Sequence, residues 1–168
     1  MPAYVEHGLS RPQFFQALAR VRGYRRLPVY KAAQAVQRSA DGSAYIQYER
    51  MAAEMAGAFT GQRGHAVYCW SSAAGPRHPA TALITEGLTS TFGHATAELA
   101  ASGPRRTMQV RIGHPKLGWE VTSWLVTHAS KYGIHQVRFG GYQWRASAGL
   151  KGWVRDAGAP AAGTIQLS

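Results

Sequence analysis

Acidic side chains are scarce in this sequence: eight Asp plus Glu stand against nineteen Lys plus Arg, a formal charge of +11 over 168 residues. Such a field attracts polyanions of any kind, whether nucleic acid, anionic wall polymer or acidic lipid surface. Cysteine occurs once, at Cys69, which excludes an internal disulfide and any cysteine-based structural zinc cluster. The favoured reading of that residue is a small buried apolar side chain on a strand. Long hydrophobic runs are missing. A membrane span needs about 20 apolar residues in succession, and no signal-peptide-type sequence opens the chain. As written, the chain is expected to be neither inserted nor exported, and cytoplasmic if complete. Also absent are a His-Glu-x-x-His helix, a Gly-x-Ser-x-Gly elbow, a P-loop and a Gly-x-Gly-x-x-Gly turn. No catalytic residue, metal or cofactor is therefore expected from a self-contained motif.

Hydrophobic residues make up 45% of the chain, enough for one ordinary core or two small ones. Ser10 followed by Pro12 predicts a helix start, with a hydroxyl for the N-cap and proline in the first turn. Phe14, Phe15, Leu18 and Val21 share its apolar face, and Gly23 ends it. After Pro28, Val29, Ala32, Ala33 and Val36 repeat at helical spacing until Asp41-Gly42. A third helix carries Tyr45, Tyr48, Ala52, Met55 and Phe59. Each of the three is too short to be stable alone.

Residues 60 to 66 read as a linker, so the expected organisation is a helical segment over 1–62 and a small α/β domain over 63–168. In the second part, residues 66–70 can form a strand, and Pro79 opens a helix bearing Leu83, Ile84, Leu88 and Phe92. Met108, Val110 and Ile112 alternate as a half-buried strand. Pro115 starts the strongest helix, with Leu117, Val121, Trp124, Leu125 and His128 on one face. Val137, Phe139, Gly140-Gly141, Tyr142 and Trp144 form a hairpin signature, and Ile165 with Leu167 supplies a last strand. Strand, helix and strand at this spacing predict a parallel pair, to which the hairpin adds an antiparallel neighbour. The fold class is thus α+β, a helical N-terminal segment followed by a small mixed sheet packed with helices.

Candidate binding residues fall into three groups. Gln34 and Gln37 are three apart on a helix edge, near Ser39 and Tyr45, and amides so placed suit hydroxyl and N-acetyl groups of a glycan. His114 lies at a strand-to-helix junction, where helix N-termini attract anions, and Trp144 with Trp153 offers a flat platform for a sugar or base, core packing being the commoner role. Arg22, Arg25 and Arg26 form the densest basic patch, a candidate polyanion site. For the acids the bland roles are favoured: Glu49 and Glu54 as solvated helix-face charges, Glu120 as a charge opposing the helix macrodipole.

The string from Phe14 to Gly61, with its aromatic pair followed by Leu, Val-x-Gly-Tyr before Leu-Pro, and AAQAVQRSA ahead of Tyr45, resembles the C-terminal half of the lysozyme-like, transglycosylase-type domain of secreted and membrane-anchored actinobacterial proteins. The segment from Ile112 to Ala146, with Trp153 behind it, is similar to the small α/β domain that follows such a domain. The resemblance implies that Gln34, Gln37, Ser39 and Tyr45 line the substrate side of a groove. It also implies an extracellular or cell-surface location. The family's acid-bearing helix lies upstream of the aromatic pair, and here Phe14 is preceded by thirteen residues only. The leading expectation is a non-catalytic, envelope-associated module derived from a peptidoglycan hydrolase, binding peptidoglycan or another anionic wall polymer. Alternatives are a muramidase-type hydrolase whose acid lies outside this chain, a basic nucleic-acid binder, and an assembly protein that oligomerises through an exposed helical face.

Overall fold

The computed structural model describes residues 10–38, 43–70, 79–93, 99–102 and 107–168. The chain divides into two compact units, Met1–Ala53 and Glu54–Ser168. The division falls nine residues before the expected one, inside the third helix.

In the first unit, α1 (Arg11–Arg20) begins as its sequence predicts, Gln13 Oε1 accepting from both the Ser10 N–H at 2.9 Å and the Ser10 hydroxyl at 2.8 Å. Gly23, with φ +72°, leads into a 3₁₀ turn at Tyr24–Arg26, and α2 follows at Val29–Gln37. Helix α3 spans Ile46–Phe59. Burial in this unit is sparse, and among the described hydrophobic residues only Ala32 and Val36 reach the interior.

The second unit is α+β. Its helices are α4 (Thr81–Phe92), α5 (Pro115–Thr127) and α6 (Ala129–Tyr132), and its strands are β1 (Leu99–Ser102), β2 (Thr107–Arg111), β3 (Gln136–Phe139), β4 (Tyr142–Arg145), β5 (Trp153–Arg155) and β6 (Thr164–Leu167). They form one sheet in the order β1-β2-β6-β3-β4-β5. Every neighbouring pair is antiparallel, which corrects the expected mixed sheet. Helix α5 does return the chain so that β3 runs in the direction of β2, but β6 lies between them and bonds antiparallel to both. Ile165 and Leu167 explain why this strand occupies the centre: both are essentially fully buried, on the same side as Val110, Val137 and Phe139.

That side is the core. Val121, Leu125 and Val126 of α5 and Ile84 and Leu88 of α4 close over it, with Tyr132, Ile134 and Trp144. Full burial of a large apolar side chain is worth about 1.5–3 kcal/mol, so this layer holds the unit together. Gly118 permits the close approach of α5, because a Cβ there would overlap the Phe139 ring. Gly61, at φ +67°, belongs to this unit too: it packs directly on the Lys116 carbonyl, where a side chain would not fit. Ser123 ties the end of α3 to α5, donating to the Ala58 carbonyl at 3.2 Å and the Trp119 carbonyl at 2.8 Å.

Two further expectations change. Residues 66–70 form no strand; the segment is held instead by indole N–H groups, Trp153 donating to the Val67 carbonyl at 2.7 Å and Trp144 to the Cys69 carbonyl at 2.9 Å. Cys69 is exposed rather than buried, since the pinning uses its carbonyl and leaves its side chain outward. His128, by contrast, is a satisfied structural residue, stacked on Trp124 at 4.2 Å with its Nδ1 2.8 Å from the Trp124 carbonyl.

Candidate functional site

The residues singled out in the helical unit are only partly brought together. The Tyr45 hydroxyl donates to the Gln37 side-chain oxygen, so these two meet, at an exposed position. Gln34 is half-buried on α2. Ser39 lies outside the described residues. Glu49 is not a bare solvated charge: its Oε1 accepts from the Tyr30 N–H at 2.7 Å, satisfying one of the open donors at the start of α2. Arg22, Arg25 and Arg26 are exposed around the 3₁₀ turn, with the Arg25 guanidinium 5.7 Å from the Tyr24 ring centre.

In the second unit His114 caps α5. Its Nδ1 accepts from the Leu117 N–H at 3.1 Å, which satisfies an open helix donor and leaves one ring nitrogen for other work. Trp144 and Trp153 do not make an open platform. Trp144 is 1% exposed, and Trp153 sits edge-on to Trp119 at 5.4 Å, both indoles facing the core layer. Glu54 pairs with Arg63, and Glu120 lies beyond the first turn of α5, which holds no acid.

A polar concavity lies elsewhere, on the sheet face turned away from the core. Alternation along the strands places Gln136 and Arg138 of β3, Gln143 and Arg145 of β4 and Gln166 of β6 together there, because Val137, Phe139, Trp144, Ile165 and Leu167 point the other way. A trough of about 700 Å³ runs over these residues, bounded by Pro79, Thr107 and His135 and reached by Asp156.

The hydrogen bonds within the trough decide what it offers a ligand. Arg138 donates through Nε to Asp156 at 2.7 Å and through a terminal nitrogen to Gln166 Oε1 at 2.6 Å. Gln143 Oε1 accepts from Gln136 Nε2 at 2.8 Å and from Arg145 Nε at 3.4 Å. A guanidinium carries donors only, so the amide atom facing it must be the oxygen, and the amide orientation follows. The carbonyl ends of Gln143 and Gln166 are thereby consumed inside the protein. Their NH2 ends remain, together with the terminal nitrogens of Arg145.

Asp156, the only acidic side chain among the described residues of the trough, is equally committed. One oxygen pairs with Arg138 and the other accepts from the Gly158 N–H at 3.0 Å. The Arg138 hydrogen bond, with help from Gly158, holds its carboxyl below the ordinary range, the reverse of what a proton donor for glycoside cleavage needs. The result is a surface rich in donors and poor in open acceptors. It suits carboxylate, phosphate and hydroxyl oxygens.

Sequence reasoning missed this face, although a signal was present. Gln or Arg stands beside each buried apolar residue of β2, β3, β4 and β6, as in Met108-Gln109-Val110, Gln136-Val137-Arg138 and Ile165-Gln166-Leu167. Among the described residues no group of three or more His, Cys, Asp or Glu is placed to hold a metal ion, and no helix is long and apolar enough to cross a membrane. Comparisons with protein-family models, with curated proteins and with solved structures find no match to this chain.

Proposed function

We propose that the chain is a non-catalytic binding module for anionic envelope polymers, peptidoglycan or an acidic wall glycan, and that it works at the cell envelope. The observation that carries this reading is the donor excess of the trough: Arg138 and Arg145 with outward-facing Gln143 and Gln166 amides, and one acidic side chain, already spent on Arg138 and Gly158. The overall charge of +11 adds long-range attraction to any such polymer. Binding rather than cleavage is supported by the carboxylates: Glu49 caps a helix, Glu54 pairs with Arg63, and Asp156 is held ionised. The resemblance of residues 14–61 to part of a lysozyme-like domain favours a wall polymer over other polyanions.

Co-sedimentation with purified peptidoglycan at low salt tests the proposal. The protein should pellet with the polymer, and Arg145→Gln should weaken binding by about tenfold, the loss of one charge-assisted hydrogen bond of at least about 1.5 kcal/mol. A protein that stays in the supernatant at low salt refutes the reading. Glycan release above background, abolished by a single carboxylate substitution, would instead make the chain an enzyme.

A further inference from the structure

Strand register places more than an ion site on the open face. Gln109 of β2 is opposite Gln166 of β6, Gln166 is opposite Arg138 of β3, Arg138 is opposite Gln143 of β4, and Gln143 is opposite Val154 of β5. These five side chains form one straight row across the strands. With neighbouring strands about 4.8 Å apart, four steps extend it to about 19 Å. We infer that this row is a track for a linear glycan carrying carboxylates at intervals, laid across the strands from Gln109 to Val154. The inference rests on the proposed function and specifies its ligand.

Three observations choose that occupant. The first is charge density. Asp156 neutralises Arg138, so the middle of the row offers amide and guanidinium donors with little net charge, and Arg145 beside it adds one open cation. A polymer with a charge on every unit, such as a phosphodiester, is poorly matched, whereas hydroxyl-rich units with an occasional carboxylate are well matched. The second is the absence of stacking surfaces. Along this row no aromatic side chain is present, and Trp144 and Trp153 face the core, so bases of a single-stranded nucleic acid find no platform. The third is the end of the row: Val154 is 39% exposed, an apolar spot suited to the C–H face of a sugar ring. The row is also preset. Arg138 is bonded to Asp156 and Gln166, and Gln143 to Gln136, so little side-chain freedom is lost on binding.

Calorimetric titration with glucuronic acid as monomer, and with a dimer and a tetramer in which glucuronic acid alternates with neutral N-acetylglucosamine, tests the track, with neutral chitotetraose and a single-stranded oligonucleotide of equal charge as comparators. The tetramer should bind at least tenfold more tightly than the monomer, beyond the twofold statistical gain of two equal uronate units, and more tightly than either comparator. Gln109→Ala and the size-conserving Gln109→Glu should each lower the tetramer-to-monomer ratio severalfold, with thermal melts reporting that both variants are folded. If monomer and tetramer bind within the statistical factor and both respond to Arg145→Gln alone, the face is a single-anion site: the track is overturned and the proposed function stands. Tighter binding of the oligonucleotide overturns the glycan. No binding of any uronate, with no retention on peptidoglycan, removes the proposed function itself.

Discussion

The two units are built from similar amounts of helix-forming sequence and differ in what they bury. Residues 10–38 and 43–53 place Ala32 and Val36 inside and leave Phe15, Val29, Tyr48 and Met51 at least half exposed. The Glu54–Ser168 unit buries sixteen apolar side chains in one contiguous cluster. Local propensity and caps are sufficient to draw a helix, as Ser10 and Gln13 do, but stability comes from apolar area removed from water. A unit with well-formed ends and a thin interior is expected to open easily. A unit with a sheet closed under two helices is expected to open only with the whole.

Native-state hydrogen exchange gives the largest separation. Amides of β6 and β3 should exchange only through global opening, a cost of roughly 5–15 kcal/mol for an ordinary domain, and those of α1 and α2 should exchange through openings costing close to nothing. Equal protection in the two units would break the comparison. Next in size are core substitutions in the second unit. Phe139→Ala should cost about 3–5 kcal/mol in denaturant unfolding, and Gly118→Ala, which drives a methyl into the Phe139 ring, about 1–3 kcal/mol. Neither should alter exchange in α1 or α2. The smallest effect is electrostatic. Because pairing with Arg138 lowers the Asp156 pKa in the folded state, its contribution is present above the ordinary aspartate value near 3.9 and disappears as pH falls through the folded value. Asp156→Asn should flatten the acid limb of the stability curve below about pH 4 and leave neutral-pH exchange in the first unit unchanged.

Most elements were legible in the sequence because each is set by short-range pattern. The 3.6-residue period from Leu117 to His128, the Gly140-Gly141 turn and the alternation around Val110 each specify their own element. The place of β6 was not legible. Four residues near Ile165 say strand, but nothing local says that two partners will flank it, since pairing is decided by which buried surfaces must meet. The binding face was half legible for the same reason. Reading Val137 and Trp144 as inward fixes Gln136, Arg138 and Gln143 as outward, yet their meeting with Gln166 required the β3–β6 pairing. The aromatic platform failed because Trp144 and Trp153 serve the core and hold residues 67–69 by their N–H groups.

The order of the sheet carries a consequence for synthesis. On the ribosome, the halves on either side of β6 emerge first and have no edge in common, so the sheet stays in two pieces until residues 164–167 leave the exit tunnel. Completion of this unit therefore waits for its last strand, and until then the unfinished edges of β2 and β3 are the surfaces a chaperone would meet.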